Sequence, residues 1–196
     1  MANLPNLLSA LRLALVPLLL VLAWSGHSKL FLACLLASLI TDAADGLLAR
    51  CLNLTTKLGA KLDSWADFIT SLALPWCAWW LRPDVIRQEG LYIGAGIFFY
   101  LAATLVGFCK FKRLTSYHTW GAKLSALLFG AAVVVLFTGG PGWLFRIVMP
   151  IVVLTSLEEI AITVTLPELR TNIPSLWHAL KIRRQAPEPG HSCPAR

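Results

Sequence analysis

Between Ile40 and Ile69 the chain reads ITDAADGLLARCLNLTTKLGAKLDSWADFI, with aspartates at 42, 45, 63 and 67 in otherwise apolar surroundings. A carboxylate near a bilayer centre costs about 2.5–3.5 kcal/mol on insertion scales, so four unrelieved ones cost on the order of 10–14 kcal/mol. That is comparable to the whole stability of a typical domain. The four must therefore lie near a membrane boundary, gather around a cation, or both. Asp42 and Asp45 are three apart, and Asp63 and Asp67 four apart, so on a helix each pair shares one face. The link from about Arg50 to Lys61 is short, which predicts that the two carrying helices are antiparallel neighbours with both pairs at similar depth. Carboxylates so close repel one another without a counter-ion. Their hard oxygens suit Mg²⁺ or Mn²⁺. Salt bridges to Arg50, Lys57 and Lys61 are the simpler alternative, but they leave the neighbouring small residues without a reason. Gly46 follows Asp45, Ala49 is four beyond Asp45, and Gly59 precedes Asp63 by four. Bare backbone beside carboxylates describes a pocket for a metal-bound diphosphate.

The elements that hold these residues follow from composition. Of 196 residues 57% are hydrophobic and only 14% charged, with mean hydropathy +0.70. Soluble domains carry closer to a quarter charged residues, so a soluble globular class is excluded. Apolar runs of membrane-spanning length predict an all-α polytopic protein of six transmembrane helices, roughly over 7–24, 30–49, 62–81, 91–109, 121–138 and 143–165. Residues 1–180 form one catalytic bundle, and 181–196 a basic, disordered tail. With Met1 in the cytoplasm, the outer links hold Lys29, Arg82, Arg87 and Arg146, and the remaining 13 of 17 basic residues fall on or near the cytoplasmic side. Both termini are therefore placed in the cytoplasm. Net charge +7 suits anionic headgroups and an anionic substrate, and no nucleic-acid partner is expected. The five cysteines show no metal or redox spacing and read as buried small hydrophobes. The N-terminus lacks a basic leader and a clear cleavage site, and is expected to be retained. Trp76, Trp79, Trp80 and Trp143 read as an outer interfacial belt.

The pattern Asp42-x-x-Asp45-Gly46-x-x-Ala49-Arg50, then eight residues, then Gly59-x-x-x-Asp63-x-x-x-Asp67, resembles the signature of the CDP-alcohol phosphotransferases at each of its eight specified positions. That family has a six-helix membrane fold, in agreement with the span pattern. The resemblance implies that Asp42, Asp45 and Asp63 bind divalent metal. Asp67 would be the general base, also close to the metal. Gly46, Ala49 and Gly59 would line the cytidine side, and Arg50 would contact phosphate. It further implies CDP-diacylglycerol as donor, a small polar alcohol as acceptor, release of CMP, and a homodimer among membrane lipids. The short bundle points to a bacterial cytoplasmic membrane, with the active site toward the cytoplasm.

For the acceptor, NLPNLLSALRLALVPLLL at the N-terminus, with Pro5 at a helix start and Arg12 one or two turns in, resembles the start of phosphatidylglycerophosphate synthases. Glycerol 3-phosphate is the expected alcohol. Ser64 and Phe68 depart from that branch, which usually has Pro and Lys there. Inositol phosphate, serine, choline and phosphatidylglycerol stay open. Between spans four and five, Lys110, Lys112, Arg113, His118 and Lys123 form a basic cluster on the predicted cytoplasmic face. Lys110, Arg113, His118 and Lys123 are candidate ligands for a phosphorylated acceptor or the diphosphate, with ordinary cytoplasmic-side charge the alternative and the favoured reading for Lys110 and Lys112. Glu158 and Glu159, late in span six, are intramembrane acids that either reach the acceptor or form salt bridges. A UbiA-like prenyltransferase and a cation transporter are the rival classes. The first has differently spaced, duplicated motifs, and the second does not require the small residues.

Overall fold

A computed structural model of the chain describes residues 3–51, 57–112, 119–166 and 175–185, with side chains left aside at 3–6, 8–9, 43–51, 57–58, 60 and 182–185. Every described element is helical: α1 (Asn3–Trp24), α2 (Ser28–Cys51), α3 (Lys57–Leu81), α4 (Pro83–Phe111), α5 (Trp120–Phe137), α6 (Trp143–Thr165) and α7 (Leu176–Gln185). The first six coincide with the apolar runs. Among the described residues, α4, α5 and α6 are long and apolar enough to cross a membrane, and α1 adds a shorter apolar stretch, Ala10–Trp24. Pro17, Pro75 and Pro150 sit inside helices, as membrane helices allow.

The start of α4 differs from expectation. The polar run Asp84–Glu89 suggested a link before residue 91, but Pro83 opens the helix directly after Arg82. Proline is favoured there because its missing N–H is one the first turn leaves unpaired anyway. The 29 residues of α4 span about 44 Å at the helical rise per residue, more than a hydrocarbon core of about 30 Å. Its polar first turns can thus stand in the headgroup region. The expected boundary at 181 falls within α7, and residues 186–196 lie outside those described.

One end of the bundle is closed by tight turns. After α1, Gly26 takes φ +74°, with His27 N–H donating to Leu22 O and Gly26 N–H to Ala23 O. After α5, Gly139 at φ +86° repeats the pattern, with Gly140 N–H on Val135 O and Gly139 N–H on Leu136 O. Both are Schellman terminations, whose left-handed residue costs glycine little. The main apolar core lies at this end, where Leu19, Phe31, Leu35, Leu136, Phe145 and Val148 pack together. Phe31 and Phe137 join α2 to α5 with ring centroids 4.7 Å apart.

Among the described residues α1 packs against both α2 and α3, α6 against α4, α5 and α7, and smaller contacts join α3 to α4 and α2 to α5. Among the described residues the aspartate-bearing helices, expected as neighbours, both pack on α1. Cysteine burial is also uneven: Cys77 is buried, Cys34 partly so, and Cys109 exposed.

An ion pair between a buried carboxylate and an exposed arginine ties α4 to α6 near the tight turns. Glu89 is 1% exposed and accepts from Arg146 Nη2 at 2.8 Å and from Nε at 3.0 Å. A Cβ on Gly142 would lie 2.5 Å from Glu89 Oε1, so the glycine leaves room for the carboxylate.

Candidate active site

The site forms toward the other end, where the links are longer. Asp63 and Asp67 share one face of α3, as their spacing requires, and Asp42 arrives from α2. Carboxylate oxygens of all three lie within 4.8 Å of one another. Between them stands Arg12 of α1, only 4% exposed. Its Nη1 donates to Asp42 Oδ1 and to Asp67 Oδ1, the latter at 3.0 Å, and its Nη2 donates to Asp63 Oδ1. The sequence left Arg12 open between a place near the substrate and a snorkelling one, and did not connect it with the aspartates. A lone arginine in an apolar run is the available signal, but its partners lie 30, 51 and 55 residues away.

Three carboxylates facing one guanidinium leave a negative excess when all are ionised. Arg12 is buried, whereas Asp42 and Asp67 remain exposed and Asp63 partly so, so the oxygens stay open to an incoming cation. Hard oxygens, convergence and excess charge together fit a divalent ion such as Mg²⁺ or Mn²⁺. The buried Arg12 Nε has no hydrogen-bond partner, which costs about 1–3 kcal/mol for such a group.

Gly59 is buried one turn before Asp63, on the same side of α3. Asp45, Gly46, Ala49 and Arg50 lie on α2, with side chains outside the described residues, and Arg113 and His118 also lie outside them. One turn beyond Asp67, Ser71 lies on the same side of α3, and Phe68 stacks on Tyr100 of α4 with ring centroids 6.1 Å apart.

The remaining expected ligands have other partners. Lys110 Nζ donates to Thr163 O at 2.8 Å and Val164 O at 3.0 Å, capping the carbonyl end of α6, where a cation is favoured. Lys123 Nζ sits 5.3 Å from the ring centroid of Trp120, an exposed cation–π pair. Glu158 Oε1 accepts from Leu176 N–H at 3.2 Å and so anchors the first turn of α7.

Three helices of membrane-spanning length and apolarity, with carboxylates gathered from α2 and α3 beside them, describe an integral membrane protein with a polar site at one end. The chain matches the CDP-alcohol phosphatidyltransferase family over residues 2–163 and belongs to it. It is 30% identical over 145 residues to a Mycobacterium tuberculosis protein named as a phosphatidylglycerophosphate synthase, covering 67% of this chain and 64% of that one. A second M. tuberculosis protein, named as a cardiolipin synthase, is 34% identical over 98 residues, 46% of this chain and 47% of its own length. A Salmonella choleraesuis CDP-diacylglycerol–glycerol-3-phosphate 3-phosphatidyltransferase is 41% identical over 70 residues, 33% and 37% of the two chains. The chain thus spans between about a third and just under two thirds of these relatives. No solved structure matches significantly.

Proposed function

We propose that the protein transfers a phosphatidyl group from CDP-diacylglycerol to glycerol 3-phosphate and releases CMP. The observation that carries this reading is the convergence of Asp42, Asp63 and Asp67 from α2 and α3, in the order and spacing of the family signature. Asp42, Asp63 and Asp67, with Asp45 on α2, would hold Mg²⁺ or Mn²⁺. Bound there, such an ion neutralises diphosphate charge and stabilises the departing CMP. Asp67 takes the hydroxyl proton of the acceptor as its oxygen bonds to the lipid-bearing phosphorus, and the bond from that phosphorus to CMP breaks. Gly46, Ala49 and Gly59 leave space for cytidine, and Arg50 contacts phosphate. Ser71 and Tyr100, beside Asp67, offer hydroxyls to a polyol.

The named relatives support glycerol 3-phosphate. Lys110, Arg113, His118 and Lys123 remain candidate phosphate ligands, although Lys110 must leave the α6 carbonyls to serve. Phosphatidylglycerol is the second reading, favoured by the relative named as a cardiolipin synthase. Family membership speaks against a prenyltransferase or a transporter. The same reading proposes six spans, both termini in the cytoplasm, a homodimer, and a bacterial cytoplasmic membrane.

The test is CMP release by purified protein with CDP-diacylglycerol and Mg²⁺ or Mn²⁺, offering each alcohol separately. Metal-dependent release with glycerol 3-phosphate, lost in Asp67→Asn, is expected. Release with phosphatidylglycerol alone selects the second reading, and failure to bind any CDP compound overturns both.

A further inference from the structure

Arg12 reaches three carboxylates from two helices, yet its placement does not suit a permanent bridge. The guanidinium is buried beneath the cluster, the carboxylates face outward, and Nε is left without a partner. A cation approaching from the open side meets oxygens that Arg12 already holds. A unit charge within ~5 Å of a divalent ion, at the effective dielectric of a protein surface, changes affinity by more than about tenfold.

We propose that Arg12 is a positioning residue that competes with the divalent ion for Asp42, Asp63 and Asp67. The guanidinium keeps the three carboxylates assembled, and the ion displaces it from their oxygens, with Nε free to gain a partner as the side chain moves. Metal affinity is thereby set below what the aspartates alone would give. This rests on the metal-dependent reading above.

Mn²⁺ binding to the full chain in detergent, read by paramagnetic resonance of the free ion, tests it without turnover. Arg12→Met should bind Mn²⁺ at least about tenfold more tightly than the native protein. It should also melt lower without metal and gain more from added Mn²⁺. Arg12→Lys, which keeps the charge but loses the fork, should fall between them, and it decides the matter if the methionine variant does not fold. Equal or weaker Mn²⁺ binding in the variants overturns the competition while leaving the metal reading intact. Absence of Mn²⁺ binding in all three proteins overturns both.

Discussion

In the proposed reaction Asp67 carries the sharpest demand on a single side chain, because it would accept a proton while lying among other carboxylates and 3.0 Å from Arg12. Asp67→Asn keeps the shape and removes the basicity. CMP release should fall about 10²–10⁴-fold, the usual range for a positioned general base, with CDP-diacylglycerol still bound. Loss of donor binding instead would make Asp67 chiefly a binding residue. Gly59 makes a separable demand: Gly59→Leu should abolish binding of CDP compounds, read by calorimetry, while Mn²⁺ still binds through the aspartates. The convergence of Asp42, Asp63 and Asp67 was legible in the sequence, since buried charge is costly and the aspartate spacings specify helix faces directly. Arg12 was not, because spacing along one helix says nothing about which polar groups meet across three. Lys110 shows the reverse: its charge suggested phosphate, whereas its nearest acceptors are the carbonyls at the end of α6.

At the scale of elements, the main apolar core among the described residues lies at the tight-turn end, and Glu89 with Arg146 holds α4 to α6 there. Arg146→Met leaves Glu89 buried without its cation, which should lower the unfolding temperature. Adding Glu89→Gln should recover much of that, and thermal unfolding in detergent reads both effects. Equal losses in the single and double variants would show that Arg146 acts through packing and not through charge. This pair escaped sequence reading for a specific reason. Asp84, Arg87 and Glu89 interrupt an apolar run, so the pattern looked like a loop, whereas Pro83 begins a helix whose first turns are polar. Helix α7 escaped for another: it is short and basic, and its buried Ala179 packs against Ile162 and Leu166 only once α6 is in place.

For the whole molecule, tryptophan placement bears on how deep the site lies. All eight tryptophans are exposed. Trp24, Trp76, Trp79, Trp80 and Trp143 mark the tight-turn end, whereas Trp65, Trp120 and Trp177 mark the end with the longer links. Tryptophan concentrates at both membrane–water interfaces, and Trp65 lies between Asp63 and Asp67 on α3. The carboxylates therefore belong at interface depth, where they escape most of the insertion cost a bilayer centre would impose. Orientation then follows from basic residues. The tight-turn end holds Lys29, Arg82, Arg87 and Arg146, and two of these are engaged by Asp84 and Glu89, so the site end should face the cytoplasm. In a cysteine-free background, a membrane-impermeant maleimide should label Ser25→Cys in intact cells and Lys112→Cys only after permeabilisation. The reverse pattern overturns the orientation. Labelling of both in intact cells overturns the alternation of spans between them, and with it the proposed single-sided site to which a lipid-linked nucleotide and a water-soluble alcohol would both come.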